Sequence, residues 1–172
     1  IAYWVSEGML HAFANEKLIG DIAEVKIGMG TGKNEIFVRE WWEVTHSTID
    51  FSLKSINELE KTNGRYFPYN KGGDYRLWYG NLEHVLWFDK NGRNAMEQMP
   101  GHRENGGWNY YFKQGITWSF ISSSKFGVRI SPYGFTFDVA GSTLFINDDN
   151  INYLLGFLSS IVCFNMLKLL NP

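Results

Sequence analysis

The run GMGTGKN (28–34) is the closest approach in this 172-residue chain to a phosphate-binding loop. Such a loop needs four residues between its first Gly and the Gly-Lys pair, then Ser or Thr, so that amides, ammonium and hydroxyl converge on phosphate and metal. Here three residues separate Gly28 from Gly32-Lys33, and Asn34 follows. The run therefore reads as a flexible strand-to-strand turn, in which Lys33 and nearby amides could still meet a phosphate. His11, His46, His84 and His102 stand at no ligand spacing from one another or from Cys163, which argues against a metal site. Ser122, Ser123 and Ser124 lack a GxSxG elbow, and Cys163 falls in an apolar stretch where a packed thiol is expected. No catalytic constellation is visible, and neither a cofactor nor a metal is expected on this chain.

Residues suited to binding are more plentiful. FPYNKGGDYRLWYGN (67–81) sets Lys71 and Arg76 among Tyr69, Tyr75, Trp78 and Tyr79, with Asn81 at its end. Gly72 and Gly73 would let the backbone come close to a partner. GITWSFISSSKFGVR (115–129) adds Trp118, the Ser122–Ser124 hydroxyls, Lys125 and Arg129. Hydroxyls and amides position phosphates, while Arg, Lys and Asn read base edges. Trp78, Trp118 and Phe126 serve equally as core rings, and the cations equally as solvated surface, so both readings stay open. The stretch 89–109, DKNGRNAMEQMPGHRENGGWN, has almost no apolar periodicity and reads as a long loop, of the length that in a compact domain is functional or disordered. On it, Arg93, His102, Arg103 and Asn105 are the candidates to test base edges.

Composition agrees with this only locally. The net charge is −2, but residues 1–60 carry −5, 61–130 carry +5 and 131–172 carry −2, a basic island between acidic flanks. A hydrophobic fraction of 44% with 20% charged residues describes a globular chain and excludes disorder or a fibre. One cysteine allows no internal disulfide, which points to a reducing, cytoplasmic setting. The opening IAYWVSEGML has neither an initiator Met nor a basic-then-apolar leader, and reads as the start of an excised piece of a longer protein.

The elements that must position these residues follow from periodicity and punctuation. SEGMLHAFANEKL predicts a helix capped by Ser6 with Met9, Leu10 and Phe13 on one face and Gly20 beyond its end. DIAEVKI predicts a half-buried strand with Ala23, Val25 and Ile27 inward, and EIFVREWWEV a second strand. Ser55 and Glu58 form a capping box for a brief helix. HVLWF (84–88), ITWSFI (116–121), GVRIS (127–131), GFTFDVA (134–140) and STLFI (142–146) predict further strands, with SPYG as a hairpin turn. NDDNINYLLGFLSSIVCFNMLKLL predicts a closing helix with Asp148 or Asp149 at its acidic start, interrupted too often by polar residues to span a membrane. Strands and helices without βαβ alternation make the class α+β.

These strings carry a resemblance. FPYNKGGDYRLWYGN, GITWSFISSSKFGVR and GFTFDVAGSTLF, with the opening LIGDIAEVKIGMGTGKNEIFV and the closing helix into LNP, resemble the C-terminal part of large adenine-specific DNA methyltransferases. Among these, the chain resembles the phage-defence (BREX, PglX-like) enzymes and related single-chain restriction–modification proteins. The resemblance implies that residues 1–172 are one target-recognition domain, with a twisted, mainly antiparallel sheet like that of TaqI-like enzymes and type I specificity subunits. It implies duplex DNA as partner. The catalytic domain, its Asn-Pro-Pro-Tyr motif and its S-adenosylmethionine pocket would lie upstream, because Asn171-Pro172 follows an apolar helix and is not that motif. On this reading Lys33, Lys71, Arg76, Trp78, Tyr79, Asn81, Ser122, Ser123, Ser124, Lys125 and Arg129 hold phosphates or the framework. The alternatives are a module that docks on the catalytic part or another partner protein, and an independent small enzyme.

Overall fold

The computed structural model describes residues 5–119 and 126–170. The described strands are β1 (Glu24–Lys26), β2 (Gly30–Thr31), β3 (Val38–Glu40), β4 (Tyr66–Asn70), β5 (His84–Trp87), β6 (His102–Arg103), β7 (Gly115–Trp118), β8 (Val128–Ser131), β9 (Thr136–Phe137) and β10 (Thr143–Phe145). The helices are α1 (Glu7–Asn15), α2 (Asn34–Phe37), α3 (Lys90–Glu97), α4 (Ile151–Leu158) and α5 (Ile161–Leu170). The class is α+β as expected, but the strands divide between two four-stranded sheets and a short ribbon. One sheet runs β1-β10-β7-β8, the other β3-β5-β4-β9, and β2 pairs with β6. Neighbours are antiparallel throughout except β4 and β9, which run parallel.

Each sheet has its own core. Around the second sheet, Phe37, Phe67, Tyr69, Phe88, Tyr111, Phe112 and Phe137 are buried with Leu86 and Met96. Their rings meet at inclined angles, Phe67–Phe112 at 5.5 Å and Phe88–Tyr111 at 5.8 Å, the edge-to-face arrangement that ring quadrupoles favour. Much of the aromatic content is therefore spent on packing. On the first sheet, Ile116, Val128 and Leu144 are covered by Ile151, Leu154, Leu155 and Leu158 of α4 and by Cys163 of α5. The i, i+3, i+4, i+7 spacing of those four α4 residues is the apolar stripe of a surface helix. Asn70 at the end of β4 donates from its side-chain amide to Ser131 Oγ at 2.5 Å, tying the sheets together.

Several expectations change. The segment 89–109 is not a loop: Asp89 caps α3 by accepting from the Gly92 N–H at 2.7 Å, and β6 and a 3₁₀ turn (Trp108–Tyr110) follow. EIFVREWWEV contributes only β3, between the single turn of α2 and a 3₁₀ turn at Trp41–Glu43, and Trp41 and Trp42 are exposed. Ala23 is buried, but Val25 and Ile27 face solvent, so the alternation does not mark an inward face along the whole of β1. SPYG joins β8 to a strand of the other sheet and is no hairpin. The closing helix breaks after Leu158 and bends by 66°, with Ser160 Oγ accepting from the Cys163 N–H to start α5. Ser6 caps α1 as expected, accepting from the Met9 N–H at 3.3 Å, although α1 buries no residue. The Ser55–Glu58 pair opens a 3₁₀ helix, Ile56–Lys61.

Candidate nucleic-acid interface

Past Asn70 the chain swings along the open edge of β8. Trp78 donates its N–H to the Val128 carbonyl and accepts the Ile130 N–H, both at 3.0 Å, forming a single parallel bridge opposite Arg129. That bridge covers an edge that would otherwise present unpaired backbone. It also holds Trp78 at φ 71°, a left-handed conformation that costs a non-glycine residue on the order of 1–3 kcal/mol. Gly72 has φ +83°, and a Cβ there would stand 2.8 Å from the Ala140 carbonyl oxygen, so both conformation and space require glycine. Ser119 Oγ donates to the Gly73 carbonyl at 2.7 Å, and the Asn81 amide to the Asp74 carbonyl at 2.8 Å. With the backbone pinned from behind, the Tyr75, Trp78 (52% exposed) and Tyr79 (67%) rings stand in solvent beside exposed Arg76.

The predicted residues separate into distinct environments. Lys71 is half-buried, and Asn81 serves the framework. Tyr69 belongs to the core, its hydroxyl donating to Asp138 Oδ2 at 2.5 Å; burial first and Asp138 second push its phenol well above the ordinary tyrosine value. Trp118 and Phe126 are half-buried against the first-sheet core, whereas Trp78 is not a core ring. Arg129 is only 2% exposed. Its Nη2 donates to Ser119 Oγ at 3.4 Å, and Nε and Nη1 find no partner among the described residues. Burial lowers its pKa, Glu83 opposes that shift and Arg76 adds to it. Arg129 thus lies beneath the exposed segment rather than on its outer face. Ser122, Ser123, Ser124 and Lys125 lie outside the described residues.

The base-reading candidates gather at the β2–β6 ribbon and α3. Register pairs Gly30 with Arg103 and Thr31 with His102. The His102 Nδ1 lies 3.0 Å from the Gly30 carbonyl oxygen, and the Asn105 amide donates to the Gly28 carbonyl at 3.0 Å, so both side chains brace the ribbon. Arg93 pairs with Glu60 at 2.6 Å and lies over the Phe88 and Trp108 rings, at 5.8 and 5.9 Å from their centroids. Arg103 and Lys33 are exposed, with no ion pair among the described residues.

Both groups border one turn. Asp138 donates its N–H to the Asn70 carbonyl and Val139 to the Met29 carbonyl, while Gly72 abuts Ala140. The 138–141 turn therefore has Lys71 and Gly72 on one side and the start of the ribbon on the other. Composition could flag the rings and cations, but it carried no signal for a cavity beside α3, for the burial of Arg129 or for the exposure of Trp41 and Trp42. Among the described residues no three His, Cys, Asp or Glu side chains could hold a metal, and no single helix is long and apolar enough to cross a membrane. The Cys163 thiol is buried, and burial raises its pKa.

No protein-family model matches the chain. Over its full length it is 36% identical, across 179 aligned residues, to a segment of the adenine-specific methyltransferase PglX of Lacticaseibacillus casei (strain Zhang), covering 15% of that protein. Over 88% of its length it is 34% identical to a segment of the adenine-specific methyltransferase BrxX of Escherichia coli O9:H4 (strain HS), covering 12% of it. The chain is thus similar to a stretch that makes up less than a sixth of two adenine-specific methyltransferases.

Proposed function

We propose that this chain is the DNA-reading part of a cytoplasmic adenine-specific DNA methyltransferase of the phage-defence kind, binding duplex DNA while methyl transfer takes place elsewhere in the parent protein. The observation that carries this reading is the 71–81 segment: its backbone is pinned to β8, and its Tyr75, Arg76, Trp78 and Tyr79 side chains stand in solvent. A strained, anchored segment that exposes rings and a cation suits contact with a polyanion whose sugars and bases offer stacking faces. Similarity to adenine-specific methyltransferases supplies the chemical context.

The cations of the two groups have separate tasks. Arg76 and Lys71 hold phosphates along the β8 edge, and Lys33 holds one at the ribbon. Arg103, projecting from the ribbon, is the favoured base reader, because His102, Asn105 and Arg93 are already engaged within the fold. The methyl donor of such an enzyme is S-adenosylmethionine. The residues present here do not fit it: the glycine-rich stretch is closed into a ribbon with β6 and leads into only one helical turn. The target adenine is presented to the catalytic part of the parent.

Two substitutions in the parent enzyme test this. Arg76→Ala should weaken binding to all duplexes alike and lower the slope of log affinity against log salt by about 1. Arg103→Ala should change which sequence is methylated, relaxing one position by about 1–3 kcal/mol. Methylome sequencing that returns the parental site for Arg103→Ala, together with an unchanged salt slope for Arg76→Ala, would rule the reading out.

A second reading, docking on the catalytic part of the parent, is favoured by a different surface. α1 buries no residue, and Leu10, Leu18, Ile161, Val162 and Leu170 are exposed. Such a spread of apolar side chains suits an interface within a larger chain.

A further inference from the structure

Trp41 and Trp42 follow β3, the edge strand of the second sheet, and are 47% and 55% exposed. The 3₁₀ turn that carries them is held firmly: the Trp41 N–H donates to the Glu83 carbonyl and the Glu40 N–H to Glu43 Oε2, both at 2.8 Å. The two rings meet at 86° with centroids 5.4 Å apart. A T-shaped pair closes fewer ring faces than a flat stack, and neither ring joins either core, so indole surface stays open to solvent.

Carboxylates surround this corner. Glu40 stands opposite His84 in the β3–β5 register, and Glu40, Glu43 and Glu83 all act electrostatically on the His84 ring, which gathers them around one point. None of the three forms an ion pair among the described residues. The neighbouring cations do not neutralise them. Arg39 turns its Nη1 back to the Glu35 and Val38 carbonyls. Lys71 acts on His84 from a distance but pairs with none of the three. The corner thus carries an excess of negative charge, in keeping with the −5 of residues 1–60.

We propose that the Trp41–Trp42 corner is the docking site of a protein segment that presents arginine side chains. A guanidinium is planar: it lies flat on an indole face while its fork of N–H groups bonds a carboxylate. The compact, strongly hydrated ammonium of lysine manages the charge but not the stacking geometry. Both things that a guanidinium needs stand within one turn here, indoles at 41 and 42 and carboxylates at 40 and 43. Duplex DNA is the wrong occupant, because three unpaired carboxylates repel phosphate. An uncharged apolar partner is wrong as well, because it would bury those carboxylates without a counter-charge. Charge complementarity therefore selects a basic protein segment, and tryptophan is among the residues in which interface energy concentrates. Nothing in this site depends on the DNA-reading proposal.

The test uses the full-length protein that contains this chain and a fluorescein-labelled peptide of alternating glycine and arginine, beside versions with lysine or citrulline in place of arginine. Fluorescence polarisation at low salt should show the arginine peptide bound about threefold to tenfold more tightly than the lysine peptide. The citrulline peptide, which keeps the shape without the charge, should not bind. Trp41→Ala combined with Trp42→Ala should weaken the arginine peptide about tenfold or more and erase its advantage over lysine. Glu40→Gln combined with Glu43→Gln should weaken both basic peptides alike, by about fivefold. All four side chains lie outside the two cores, so each variant should keep its melting temperature. Arginine-peptide affinity unchanged in both variants overturns the proposal, as does the absence of binding to the unsubstituted protein or equal binding of the citrulline peptide. A tryptophan variant that loses duplex affinity while it keeps peptide affinity assigns the corner to nucleic acid and overturns the proposal too.

Discussion

At the scale of single residues, Trp78 separates function from stability. Its φ of 71° suits glycine, and its exposed ring contributes little to either core. Trp78→Gly therefore relieves strain and should leave the melting temperature unchanged or raise stability by up to about 1 kcal/mol, less the extra flexibility of the unfolded glycine chain. The same change should weaken DNA binding by about 1–3 kcal/mol, the range for one ring stacked on one base. Calorimetry and gel-shift titration on the same variant check both halves, and a variant that loses both would make Trp78 a structural residue. His84 gives a pH dependence of definite sign. Its Nδ1 is buried without a hydrogen-bond partner among the described residues, and burial first, then Lys71, lowers its pKa against the opposing charges of Glu83, Glu40 and Glu43. The fold prefers the neutral ring, so this contribution is present above the unfolded value of about 6.5 and is lost as pH falls below it. His84→Gln should flatten the fall in melting temperature as pH drops below about 6.5.

At the scale of elements, legibility tracked how each element buries itself. α4 announced itself through leucines and isoleucine at helical spacing, and Ser6 marked the start of α1. α3 was invisible because its buried positions are Gly92 and Met96, so half of its inward stripe is a glycine. A Cβ at Gly92 would stand 2.4 Å from the Trp87 carbonyl oxygen, showing how closely the helix lies on β5. Helix propensity alone makes Gly→Ala favourable by about 1 kcal/mol. Here Gly92→Ala should instead destabilise by about 1–3 kcal/mol, because backbone must move to admit the methyl. Denaturant unfolding decides between the two signs. Sheet partners were illegible for another reason: GFTFDVA reads as a strand in any sheet, and its parallel pairing with β4 is set by which faces are left to cover, not by its own periodicity. At the candidate interface the sequence singled out the segment 71–81, since rings, cations and glycines together are conspicuous. It could not show that Arg129 lies under that segment or that Asn105 and His102 brace the ribbon, because burial arises from contacts distant in the chain.

For the whole molecule, the distribution of apolar surface bears on how the chain sits in its parent. Nine residues is too short for a helix to be stable alone in water, and α1 buries none of its residues. It faces α5 across a shallow pocket lined by Met9, Lys168 and Leu169, while Leu10, Ile161 and Leu170 point to solvent. An element with so little packing opens at low free-energy cost, so α1 amides should exchange early in the isolated chain. In the full-length enzyme, a catalytic part seated on α1 and α5 would remove those side chains from water at about 25 cal/mol per Å² of apolar surface. Hydrogen exchange followed by mass spectrometry should then show α1 and α5 slowed at least tenfold relative to the isolated chain, while α4, whose apolar stripe Ile151, Leu154, Leu155 and Leu158 is already buried, changes little. Leu10→Lys combined with Ile161→Lys should abolish that extra protection and leave the aromatic core around Phe67 and Phe88 unaffected. Equal exchange of α1 in the two contexts would mean that the catalytic part docks elsewhere, and would leave the exposed Trp41 and Trp42 beside β3 as the next surface to probe.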